Sequence, residues 1–220
     1  MNERSPREGG DLPRLRRAED IAPRLRRAVP DDSETIAALH VACWAETYRG
    51  LLPDALIDSM RMPDRTIQWQ RALERRADVQ VIVAEDADGG LLGFASGGPA
   101  RGGELGAAQE VYAIYVLRRA QRQGLGRALL QSLAAHLTLT SLPPAALDLG
   151  LWVLRDNAPA RAFYERLGGE PGGERMETRE GHALAEAAYR WRDLAALLGP
   201  STFAGPSAAS PLDGPGRGFA

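Results

Sequence analysis

Apolar positions in this chain fall at two periods, and the points where one period gives way to the other mark the elements. Arg24 to Val29 predicts a short first strand. Pro30-Asp31-Asp32-Ser33, followed by Ile36, Leu39, His40, Cys43 and Thr47, predicts a capped amphipathic helix. Tyr48 to Pro53 breaks that helix, and a second helical region covers residues 54–77 with an interruption near Pro63. Val79 to Glu85 and Leu91 to Ser96 predict two strands joined by the turn residues Asp86 to Gly90. A Gly-rich link, residues 97–109, precedes a strand from Glu110 to Val116. An Arg/Gln/Gly loop then opens a helix that runs to about Leu139, and Pro143-Pro144 punctuates. Ala146 to Leu154 is a buried strand, and Ala158 to Leu167 a short helix with Pro159 in its first turn and Gly168-Gly169 as its stop. Two strands, about Arg175 to Arg179 and Ala183 to Trp191, form a closing hairpin.

This order, β, α, α, β, β, β, α, β, α, β, β, embeds two strand-helix-strand crossings among antiparallel hairpins. It predicts an α+β (mixed α/β) fold, a mixed sheet with helices on both faces. At 220 residues with 44% hydrophobic content, one domain is the expectation. Residues 1–20, with five basic and five acidic side chains, and residues 199–220, rich in Gly, Pro, Ala and Ser, read as disordered tails around a domain at 21–198.

Composition narrows the chemistry. All 27 basic residues are arginine and the net charge is −2. Without lysine there is no Schiff base, no lysine general base and no Walker-type phosphate loop. The near-neutral balance predicts no nucleic-acid partner. A lone cysteine, Cys43, excludes an internal disulfide and reads as a small buried apolar residue. His40, His136 and His182 lack paired-ligand spacing, so no metal is expected. No signal segment and no long apolar run predicts a chain that needs no membrane and resides in the cytoplasm.

The stretch Ile114 to Leu130 carries the first functional signal. A strand ends at Val116, and small residues at Gly124 and Gly126 lie where the following loop becomes a helix. Unpaired N–H groups and the positive dipole end of that helix make an anion site, so a phosphate-bearing ligand is expected at residues 121–127. Leu129 stands where a dinucleotide fingerprint needs its third glycine, which argues against a nicotinamide or flavin site.

Gln121-Arg122-Gln123-Gly124-Leu125-Gly126 after Ile114-Tyr115-Val116 resembles the signature loop of the GNAT superfamily of acetyl-CoA dependent N-acetyltransferases. A second motif of that family, Asn followed by a helix with an aromatic-Tyr pair and a terminal Leu-Gly, is matched by Asn157, Phe163-Tyr164 and Leu167-Gly168, about 30 residues on. The resemblance spans about residues 24–194 and implies a mostly antiparallel sheet of six to seven strands. It further implies acetyl-CoA (coenzyme A) as co-substrate. Backbone groups of Ile114, Tyr115 and Val116 are then expected to pair with the pantetheine arm, and the loop from Gln121 through Arg122, Gln123, Gly124, Leu125 and Gly126 to Arg127 to hold the pyrophosphate. Asn157 is expected on the cofactor arm, and its position before Ala158-Pro159 equally suits a helix cap.

Acetyl transfer to an amine needs a neutral amine, a stabilised oxyanion and a proton for the departing thiolate. Tyr164 is the candidate acid, since a phenol with a pKa near 10 donates to a thiolate of about 8.5; its alternative is a core aromatic beside Phe163. Glu110, at the start of the cofactor strand, is the candidate base, with Glu104 behind it and a solvated strand end as the alternative. Some relatives carry a glutamate five residues before the asparagine, where this chain has Trp152. His40, Trp44 and Tyr48, at four-residue steps along the first helix, are candidates for the acceptor wall, or aromatics packed on the sheet. The expected reaction is acetylation of a small-molecule amine. A peptide or protein amine as acceptor, or a non-catalytic acyl-CoA binding module on the same fold, stay open. The exposed strands of the closing hairpin offer an edge for a homodimer.

Overall fold

The computed structural model describes residues 23–75, 79–140 and 148–199. Expectations for both tails, for Ala77, for Pro143-Pro144 and for Ala146 lie outside them. The strands are β1 (Arg24–Arg27), β2 (Gln80–Glu85), β3 (Leu91–Pro99), β4 (Gln109–Val116), β5 (Leu149–Leu154), β6 (Glu170–Arg179) and β7 (His182–Trp191). The helices are α1 (Ser33–Tyr48), α2 (Asp54–Asp58), α3 (Met62–Glu74), α4 (Leu125–Thr140), α5 (Ala158–Arg166) and α6 (Leu194–Leu198). The element order matches the sequence reading, with α6 added: its Leu197 is buried and accepts a 2.7 Å hydrogen bond from Gln131 of α4.

The seven strands form one sheet in the order β1-β2-β3-β4-β5-β7-β6, antiparallel throughout except for the parallel pair β4 and β5. Side chains alternate across each strand, so β2 and β3 bury both faces. Val81, Val83 and Phe94 pack with Ile36, Trp69 and Leu73 under α1 and α3. Ile82, Ala84 and Ala95 pack with Leu129, Leu130 and Leu133 under α4. The expected hairpin between β2 and β3 turns on Asp86, whose carboxylate accepts the N–H groups of Asp88 (3.0 Å) and Gly90 (2.7 Å).

Strand β6 begins at Glu170, earlier than the expected Arg175. Pro171, Gly172 and Gly173 read as loop residues, yet β6 is the edge of the sheet, where proline and a bulge are tolerated. The register shifts between Pro171 and Glu174, and a Cβ on Gly172 would stand 3.0 Å from that of Ala188. Pairing with β7 thus overrides local composition.

β4 and β5 position the site. They pair only at Gln109 with Leu149 and Glu110 with Gly150, then separate.

Candidate active site

The separation of β4 from β5 opens a cleft of about 740 Å³ through the sheet. Val111 to Val116 line one side of it and Leu151 to Leu154 the other. In an antiparallel pair, successive residues point their main-chain groups to opposite edges. The N–H of Leu117 bonds the carbonyl of Leu92 at 3.0 Å, so Tyr115 also faces β3, while Ile114 and Val116 face the open edge. The Val116 carbonyl accepts the Gln121 side chain at 2.9 Å. An added strand therefore meets the groups of Ile114 and the N–H of Val116. The expectation for Tyr115 is corrected: its backbone belongs to the β3 ladder, and its side chain reaches the site.

At the mouth on the α4 side, the loop after β4 is held by a short turn at Arg118–Ala120. Glu46 of α1 accepts the Arg118 N–H at 2.8 Å. Arg122 (φ 65°) and Gly124 (φ 83°) both adopt left-handed conformations, which in Arg122 is a strained state for a residue with a Cβ. Such a backbone turns successive N–H groups toward one concavity, and the first turn of α4 adds its own unpaired N–H groups. Gln121, Arg122, Gly124, Gly126 and Arg127 line the cleft. Gln123 braces the loop through the Arg119 carbonyl (3.3 Å), and the Leu125 side chain is core, which leaves these two only their backbones for a ligand. A Cβ on Gly126 would lie 3.3 Å from the Phe163 ring, so this glycine is what lets α5 close on α4. Together the open strand edge and the N–H concavity fit a long ligand with a phosphate group at one end.

Asn157 is buried, and its side-chain oxygen caps α5 by accepting the Ala160 N–H at 3.2 Å. The cap and the cleft are compatible, because the carboxamide nitrogen is not used in the cap. Tyr164 is buried within the cleft wall, its ring against Phe163, Tyr189 and Trp191 at 5.3, 5.9 and 6.1 Å. The Trp191 indole donates to the Leu167 carbonyl at 2.9 Å and pins the end of α5. Burial, and after it the nearby Tyr48, push the Tyr164 phenol well above its usual value. The group is neutral, holding a proton to give.

The opposite face, under α1, holds a second set of groups. The Tyr48 and Tyr115 hydroxyls are 3.3 Å apart, and burial raises the pKa of both. Trp44 packs on Tyr48 at 4.4 Å, and both line the cleft as expected. His40 does not. Its ring is packed among Trp69, Phe94 and Tyr115 (5.8, 5.4 and 5.0 Å), so its assignment to the acceptor wall is corrected to the core behind that wall. Burial first, then Arg65 and Arg179, drive His40 down to about 3, and the imidazole is neutral.

Glu110 is corrected as well. Its side chain is 3% exposed, and Arg101 engages both carboxylate oxygens: the backbone N–H bonds Oε2 at 2.9 Å and the guanidinium bonds Oε1. A carboxylate so occupied, and absent from the cleft lining, holds the 97–109 link to β4 instead of meeting an amine. Glu104, the reserve candidate, is exposed in a short turn and likewise outside the lining.

The carboxylate that does line the cleft is Glu186 of β7, which the sequence reading passed over. Ala187, Tyr189 and Trp191 pack on the α4 and α5 side, so alternation turns Glu186 to the α1 side. Arg175 binds its Oε2 at 2.8 Å while stacking 4.3 Å over Trp152, the residue standing where some relatives carry glutamate. Arg179, from the tip of the β6–β7 hairpin, lies 5.5 Å over the Trp44 ring. The signal for Glu186 was a lone carboxylate inside the apolar run of β7. No described group of three or more His, Cys, Asp or Glu side chains is arranged to hold a metal, and no described helix is long and apolar enough to cross a membrane.

Comparisons with known proteins agree with this geometry. A family model for the acetyltransferase (GNAT) domain matches residues 77–168. The uncharacterized N-acetyltransferase YuaI of Bacillus subtilis (strain 168) is 35% identical over 173 residues, 79% of this chain and 95% of that protein. The probable N-acetyltransferase Rv2775 of Mycobacterium tuberculosis is 30% identical over 148 residues, 65% of this chain and 77% of its own length. Among solved structures, the PaiA N-acetyltransferase of Thermoplasma acidophilum in complex with coenzyme A shares the fold, with a TM-score of 0.57 at 20% identity, covering 76% of this chain and 98% of that one.

Proposed function

The chain belongs to the GNAT family of acetyltransferases, and from that premise we propose that it moves an acetyl group from acetyl-CoA directly to the primary amine of a small molecule. One observation carries the reading: the gap between β4 and β5 has an N–H concavity at its mouth on one face, and on the other the Tyr48 and Tyr115 hydroxyls with the Glu186 carboxylate, with Tyr164 in its wall.

In this reading, Arg122, Arg127 and the N–H groups of residues 122–127 hold the pyrophosphate, Ile114 and Val116 pair with the pantetheine arm, and Asn157 bonds it from the side of α5. Glu186, directly or through water, takes the proton of the incoming ammonium, because an amine with a pKa near 10 is mostly protonated at neutral pH. The freed lone pair forms the new C–N bond at the thioester carbonyl, and the C–S bond breaks as the tetrahedral adduct collapses. Tyr164 delivers its proton to the departing sulfur, and the surplus proton on the acylated nitrogen passes through water to the Tyr164 phenolate to leave a neutral amide. Burial raises the phenol, and burial of the cofactor's sulfur in the same cleft would raise the thiol in the same direction. The buried Cys43 thiol, pushed up to about 12 mainly by desolvation, shows the direction. Donor and acceptor thus stay matched. The small-molecule acceptor is favoured by walls on both sides of the far end, Trp44, Tyr48 and Leu51 facing Arg179, Leu184 and Glu186 across one cleft.

Thiol release from acetyl-CoA, measured with a panel of small amines and short peptides and followed by mass spectrometry of the products, tests the reading. Acetylated small amines are expected. Tight acetyl-CoA binding without release for any amine would replace it with a non-catalytic binding module, and acetylation confined to peptides with a peptide acetyltransferase.

A further inference from the structure

Resting on the acetyltransferase reading, we propose that the acceptor is an amine that also bears an anionic group, a carboxylate or a phosphate, bound by Arg179 at the α1 end of the cleft while Glu186 receives the ammonium. Arg179 lines the cleft and lies over the Trp44 ring, and among the described residues it forms no ion pair. Its neighbour in sequence, Glu180, and Asp64 of α3 are exposed and pair with neither Arg179 nor Arg65. The indole nitrogen of Trp44, a residue of the cleft lining, is a buried donor without an acceptor among the described residues; the Nε of Arg65 and the Nδ1 of His40, outside that lining, likewise lack a partner. A buried donor without a partner is costly, and an anion held by Arg179 over the Trp44 ring would offer the indole one.

The electrostatics have the same sense. Arg179 lowers the proton affinity of Arg65, after burial, and both guanidiniums act on His40. This positive region belongs to the α1 side, whereas Arg122 and Arg127 flank the start of α4 on the other side, so it serves a charge other than the cofactor's phosphates. Arg179 and Glu186 line the same cleft as the Tyr48 and Tyr115 hydroxyls, and Tyr48 feels both charges. A zwitterion matches that arrangement, and a guanidinium suits planar or phosphate anions.

The test uses matched amines with the full chain: 4-aminobutyrate against its carboxamide, and phosphoethanolamine against ethanolamine, the first pair reporting a carboxylate and the second a phosphate. In wild type the anionic member of at least one pair is expected to exceed its neutral partner about tenfold or more in kcat/KM. Arg179→Gln should bring that ratio near one through KM, and Arg179→Lys should restore part of it. Arg179→Glu should shift preference toward a diamine such as putrescine, a gain that a misfolded protein cannot mimic. Equal rates within both pairs, or a ratio unchanged in Arg179→Gln, overturns the inference while leaving acetyl transfer intact. If no amine releases thiol, the acetyltransferase reading fails by itself. Calorimetry of the same pairs on the CoA-loaded chain then decides: anion-selective binding lost in Arg179→Gln upholds the site, and its absence removes it.

Discussion

The hydroxyl of Tyr48, at the end of α1, lies 3.3 Å from that of Tyr115 on β4, and this contact ties the helix to the strand that borders the cleft. The contact is part-buried, and removing either hydroxyl removes their mutual hydrogen bond. Tyr48→Phe and Tyr115→Phe should each destabilise by about 1 kcal/mol, and the double variant by less than the sum. Urea unfolding of the four proteins measures this. Strictly additive losses would show that the hydroxyls do not interact.

Tyr164→Phe should lower kcat by about 10²-fold or more with little change in the KM for acetyl-CoA, as expected for the loss of a general acid. Because burial raises the phenol above its ordinary value near 10, ionisation of Tyr164 should cause no fall in wild-type activity up to that pH. Steady-state kinetics from pH 6 to 10 test both statements, and an undiminished kcat in the phenylalanine variant would remove the acid role.

The two glutamates should separate cleanly. Glu186→Gln should lower kcat most at neutral pH and recover as rising pH deprotonates the amine itself. Glu110→Gln, which weakens the charge-assisted contact with Arg101, should act on stability, by about 1–3 kcal/mol, and leave the shape of the pH profile as in wild type. Thermal melts and pH-rate profiles of both variants make the comparison. An altered profile in Glu110→Gln together with a normal one in Glu186→Gln would exchange the roles.

His40 should make the fold sensitive to acid. Its folded-state value, about 3, lies below the ordinary 6.5, so between these limits the unfolded chain binds a proton that the native imidazole refuses. The stabilisation is full above pH 6.5 and is lost as the pH falls, by about 2 kcal/mol at pH 5, following roughly 1.4 kcal/mol per unit. Urea midpoints at pH 7.5 and pH 5 should differ by more in wild type than in His40→Gln. Equal differences would mean that the imidazole is protonated in the native state.

What the sequence made legible was local. The Asp86 turn, the strand-loop-helix from Ile114 to Leu130 and the Asn157 cap each depend on chemistry within a few residues, and all appear where expected. The rest depends on partners distant in the chain. Nothing near Glu110 announces that Arg101 will fold back onto it, and nothing near His40 tells a ring in the wall from a ring behind it. Alternation in β7 separates Glu186 from Ala187, but which face meets the cleft follows only from the packing of Tyr189 and Trp191 under α5. Strand β6 starts at Glu170, ahead of the expected Arg175, because an edge position accepts Pro171 and Gly172, residues that local composition alone assigns to a loop. The left-handed Arg122 carries no composition signal at all.

The narrow joint between β4 and β5 gives the sheet two leaves. One leaf, β1 to β4, carries the loop of residues 121–127 and Tyr115, and the other, β5 to β7 with α5, carries Asn157, Tyr164 and Glu186. The spacing between what is given and what receives is therefore an angle, set where Glu110 meets Gly150 and where Leu105 packs against that glycine, leaving no room for a Cβ, which would come within 2.9 Å of the leucine. Gly150→Ala would act as a wedge at this hinge, changing the rate of the reaction from a position that touches neither reactant.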